Sequence, residues 1–173
     1  MTYKSEFLEY LDERVSHYEA EYAVSRGKAF TIWYGIEALG LDDDAAYEAS
    51  QADGGNDKGI DFFHVDEEHE RVVVLQGKYR KRGDYKPKVG ELYELLHSVD
   101  WLSDPEALRR EGRDDLASDA EDYVEARNND WTTEFHFVYV GPADRDIAAA
   151  AEQHNTKQAG ATPKFSHSSG EIS

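Results

Sequence analysis

The sequence predicts an α/β fold in which a mixed sheet carries helices on both faces. Three observations lead there. Apolar residues at helical spacing open the chain. Two runs with apolar stretches on both faces follow, over 59 to 65 and 71 to 79. A third run, over 131 to 140, leads into another helical stretch. Leu8, Leu11, Val15, Tyr18 and Tyr22 mark one face of a helix over 5 to 24, and Ala29, Ile32, Trp33 and Ile36 mark a second over 27 to 39, stopped by Gly40. Residues 41 to 55 are acidic and then Gly-rich, which suits a connection with one short edge strand. The next two runs pair as a hairpin across the polar turn at 67 to 70, with Asp66 opposite Arg71. Both faces of this hairpin are apolar, so helices should cover both sides.

Val89, Leu92, Leu95, Leu96 and Val99 mark the next helix. The charged stretch from 103 to 130 holds at least one more, around 115 to 127, and a last helix is expected over 143 to 153. At 173 residues the chain forms one domain over 1–155, with its core over about 28–155. Residues 156–173 are polar and rich in small side chains, the composition of a flexible tail.

Thirty-seven acids face nineteen bases, for a net charge of −18, and there is no cysteine. Disulfides and Cys-ligated zinc are excluded. No signal-peptide pattern and no membrane-length apolar run appears, so a cytoplasmic protein with no membrane partner is expected. The acidity, with only nine Lys, fits adaptation to a salt-rich cytoplasm, where screening relieves self-repulsion; it equally fits an ordinary acidic protein.

Against that background Lys78, Arg80, Lys81, Arg82, Lys86 and Lys88 crowd into one segment with Asp84 as its only acid. A basic cluster of this kind on an acidic protein points to a bound polyanion; a solvated loop is the alternative. Tyr79 and Tyr85 interleave with it and suit either base stacking or packing.

In the hairpin register, Asp61 falls opposite Gln76, and Lys78 shares their face. Three polar groups at the end of a buried sheet need partners. A Mg²⁺ or Mn²⁺ ion is one answer, held by Asp61 and Gln76 with waters, while the Lys78 amine orients the nucleophile and stabilises developing charge. A hydrogen-bonded cluster at a strand end is the other answer. Gly59 and Gly77 leave room for a close backbone approach. The seven His are scattered and form no metal pair, and no P-loop, G-x-S-x-G or dinucleotide fingerprint appears.

This pattern resembles the PD-(D/E)XK nuclease superfamily in its Gln-x-Lys variant, as in Mrr-type restriction enzymes. The wording G-G-N-D-K-G-I-D-F-F followed by V-V-V-L-Q-G-K-Y is similar to the N-terminal nuclease-like domain of the AIPR (abortive infection phage resistance) family. The resemblance spans about residues 28 to 140 and is sharpest over 53 to 79. It implies a restriction-endonuclease-like α-β-β-β-α-β core and a Mg²⁺-dependent DNA endonuclease acting in phage defence; the sequence leaves DNA versus RNA open, and paired cuts by this fold often go with a homodimer. The catalytic set it implies is Asp61, Gln76, Lys78 and a helix-borne acid, Glu37. Asp57 is an outer acid acting behind the metal ligands or facing DNA, or else a turn former. Gln76 in place of an acid removes one negative ligand, which leaves a catalytically silent nucleic-acid-binding module as the alternative. A protein-interaction domain is a third reading.

Overall fold

The computed structural model describes residues 2–52, 59–157 and 164–169. Two helices come first, α1 (Thr2–Tyr22) and α2 (Arg26–Glu37); Ser25 caps the second by accepting from the Lys28 amide. Where the sequence suggested an edge strand, a short helix α3 (Asp43–Ala49) runs into a 3₁₀ turn (Ser50–Ala52). The acids misled: Asp42 caps this helix and Asp43 and Asp44 sit in its first turn, where negative charge favours helix.

The hairpin follows as β1 (Phe62–Asp66) and β2 (Arg71–Lys78), antiparallel, with Asp66 opposite Arg71 and Phe63 opposite Val74 as expected. Three helices, α4 (Val89–Leu102), α5 (Pro105–Arg110) and α6 (Asp114–Asn128), then lead to β3 (Thr132–Tyr139), parallel to β2. α5 had no apolar period to reveal it; Asp104 caps it and Pro105 opens it. α7 (Arg145–Lys157) returns the chain to β4 (Lys164–Ser169), parallel to β3. The expected tail over 156–173 therefore contains the end of a helix and an edge strand. Its K-F-S-H-S-S sequence lacks the apolar run that identifies a central strand.

The sheet order is β1-β2-β3-β4, a mixed sheet with helices on both faces. Residues of β2 are buried from Val72 to Gln76, which makes it the central strand. Val72 and Val74 pack with Leu92, Leu95, Leu116, Tyr123, Phe135 and Phe137 against α4 and α6. Leu75 faces the other way, with Leu11, Val15, Phe30, Ile32, Phe62 and Val138 under α1 and α2. Two strands precede α4 among the described residues, against three in the expected core. No described helix is long and apolar enough to cross a membrane.

Candidate nucleic-acid and metal site

The open end of the hairpin lies at the carboxyl ends of the parallel strands, the usual side for ligands in α/β sheets. Asp61 stands one step before β1 and its amide donates to the carbonyl of Leu75, the residue paired with Phe62, at 2.9 Å, so it lies one residue off the strand register. Its Oδ2 accepts from the Gly77 amide at 2.9 Å. That fixes a half-buried carboxylate on the backbone of Gly77, the residue after Gln76.

Gln76 is 0% exposed, and both Oε1 and Nε2 lack a hydrogen-bond partner. An amide buried in this way costs about 1–3 kcal/mol. Two places along the strand, the Lys78 ammonium sits 3.4 Å from Glu91 Oε2. Glu91 belongs to the first turn of α4; its Oε1 accepts from the Lys88 amide at 3.0 Å, and its Oε2 accepts from the Tyr85 hydroxyl. Burial raises the Glu91 carboxyl, but these donors and the Lys78 charge outweigh it and hold the group below the usual carboxylate range. Burial, then the bond to Glu91, pushes the Tyr85 hydroxyl well up, so it stays protonated as the donor.

Gln76 and Lys78 alternate along β2, and Asp61 is held on the Gly77 amide that lies between them in sequence. Glu37 does not join them. It is the exposed last residue of α2, the helix on the opposite face, and its charge acts on Arg14 of α1. The carboxylate that reaches Lys78 is Glu91, which the sequence reading missed because an acid in a first helical turn is common for capping alone. Asp57 lies outside the described residues.

The two glycines serve packing instead of ligand approach. Gly59 has φ +80°, and a Cβ there would fall 2.5 Å from the Glu94 carbonyl oxygen of α4. A Cβ on Gly77 would stand 3.0 Å from Thr31 Cγ2 of α2.

The basic segment is pinned where the Tyr85 amide donates to the Val140 carbonyl at 3.1 Å. Arg80 lies over the Tyr85 ring at 5.2 Å, and Lys81, 74% exposed, pairs with Asp12 of α1 at 3.4 Å. Arg82, Lys86 and Lys88 are exposed and form no ion pair among the described residues. Tyr79 is taken up by packing: it stacks on Phe30 at 5.2 Å and lies under Arg26.

At the turn end of the hairpin a second polar network holds the sheet together. Arg71 bridges Asp66 at 2.9 Å and Glu134 at 3.0 Å, and His136 Nδ1 shares a 2.9 Å hydrogen bond with the Tyr34 hydroxyl. Burial, with Glu134 nearby, pushes Tyr34 up to about 12. These groups tie α2 to β1, β2 and β3.

Among the described residues no three His, Cys, Asp or Glu side chains group as a metal cluster. A carboxylate resting on the Gly77 amide and the unpartnered amide oxygen of the neighbouring Gln76 are of the kind a hard cation takes while it keeps most of its water, as Mg²⁺ does. Compared with protein-family models, curated proteins and solved structures, the chain matches none.

Proposed function

We propose that this protein is a Mg²⁺-dependent DNA endonuclease of the PD-(D/E)XK type, serving in phage defence. The order helix, hairpin, helix and parallel strand in a mixed sheet supports the reading. One observation carries the reading: a fully buried glutamine with neither amide atom satisfied, next in the strand to the glycine amide that holds the Asp61 carboxylate and two places before a half-buried lysine.

Asp61 and Gln76 would hold the cation, which supplies charge neutralisation and a more acidic bound water. The Lys78 ammonium stands where it can orient the attacking water and stabilise charge developing on the phosphate. Glu91, itself accepting from the Tyr85 hydroxyl, holds that ammonium in place. Arg82, Lys86 and Lys88 grip the phosphates on either side.

The test reads Gln76 itself. On titration with Mg²⁺, the side-chain amide resonances of Gln76 should shift with a saturable profile that Asp61→Asn removes. Resonances unmoved by Mg²⁺ would refute the site. A second reading, a nucleic-acid-binding module without chemistry, is favoured by the position of Glu37 and the neutrality of Gln76. It predicts binding that Mg²⁺ leaves unchanged and no cleavage.

A further inference from the structure

Only two large apolar side chains stand out as exposed among the described residues, Tyr10 at 43% and Tyr93 at 46%. A single exposed tyrosine is ordinary; the surroundings of Tyr93 are less so. It lies on the solvent side of α4, opposite the face formed by Leu92, Leu95 and Leu96. One turn further, the exposed His97 ring stacks with it, centroids 6.4 Å apart and planes 22° from parallel. The same helix sends Glu91 inward to Lys78, and its N-cap is Lys88.

The start of this helix is open. Gly90 occupies its first turn on the same outer side, and a Cβ there would meet nothing within 4 Å. Packing does not require a glycine at this position, where one costs about 0.5–1 kcal/mol relative to alanine. The exposed cations Lys86 and Lys88 lie in the segment that leads into this helix. Glu94 and Asp100 flank the pair, also exposed. Their charge opposes a phosphate lying directly on the rings and leaves the flat ring faces for uncharged bases.

We infer that the outer side of α4 is a base-stacking platform: a strand whose phosphates rest on Lys86 and Lys88 lays unpaired bases on Tyr93 and His97. This rests on the polyanion reading above and narrows it, because bases paired within a duplex present no face to stack on. The preferred ligand is then a nucleic acid with single-stranded character, such as a frayed end, a gap or a displaced strand.

Fluorescence anisotropy with a labelled oligothymidylate and with a blunt duplex of the same length tests it. The wild type should bind the single strand more tightly than the duplex. Tyr93→Ala should lose about tenfold in single-strand affinity, with duplex affinity and salt slope unchanged and Tyr93→Phe close to wild type. Thermal unfolding of Tyr93→Ala checks that the fold is intact. Equal single-strand affinity for Tyr93→Ala and wild type overturns the platform while leaving the polyanion reading standing. Absence of binding to either probe at low salt overturns both.

Discussion

Lys78 Nζ lies 3.4 Å from Glu91 Oε2, so the last residue of the central strand is tied to the first turn of the helix that covers it. The same carboxylate accepts from Tyr85 and from the Lys88 amide. Strand end, basic loop and helix start thus meet at one side chain, only 20% exposed. An ammonium held in this way is positioned by its neighbours instead of swinging in solvent.

Glu91 has a pH consequence. A carboxyl held below its ordinary value of 4.5 stabilises the fold at higher pH, and that contribution is lost as pH falls through its folded pKa. Glu91→Gln should destabilise the protein at neutral pH by about 1–3 kcal/mol, since it weakens bonds made to a charged acceptor. Thermal unfolding of both proteins from pH 7 downward should show the gap closing below about pH 4.5. A gap that persists unchanged into acid would mean that Glu91 acts by shape and not by charge.

Gln76 should show a conflict between stability and function. Gln76→Leu removes two unsatisfied buried groups in favour of apolar contacts, so the melting temperature should hold or rise by the equivalent of about 1 kcal/mol. Nicking in Mg²⁺ should fall sharply in the same variant. A marked loss of stability would show that the amide makes structural bonds in solution.

The hairpin and its register were legible from the sequence because β2 is apolar on both faces and Asp66 and Arg71 complement each other across the turn. Strand alternation sets Gln76 and Lys78 along one face of β2, while Asp61 lies one residue off the register and rests on the Gly77 amide. Other parts had no such signal. Asp42 to Asp44 carry the same acidity whether they form a connection or the start of α3, and β4 is too polar to stand out from a tail. Glu37 sits beside an apolar helix stripe, but which face of the sheet that helix covers depends on tertiary packing. Packing placed α2 on the side away from Gln76 and gave α4, with Glu91, the side that matters.

The basic loop divides by partner. Arg80 and Lys81 are engaged with Tyr85 and Asp12, whereas Arg82, Lys86 and Lys88 have no ion pair among the described residues. Replacing these last three with Gln should weaken DNA binding across all sequences. It should also flatten the dependence of log K on log salt by roughly 0.9 for each phosphate that is no longer neutralised. Anisotropy titrations over a salt series measure both. An unchanged slope would reduce the loop to a solvated surface.

The central claim, that Asp61, Gln76 and Lys78 form a metal-dependent nuclease site, is tested most directly by nicking of supercoiled plasmid in Mg²⁺ and in EDTA. The wild type should convert plasmid to the open circle only with metal, while Asp61→Asn and Lys78→Ala, folded by circular dichroism, should do so at least about a hundredfold more slowly, as expected on losing a metal ligand or a charge stabiliser. Nicking that survives in EDTA, or in either folded variant at the wild-type rate, would contradict it.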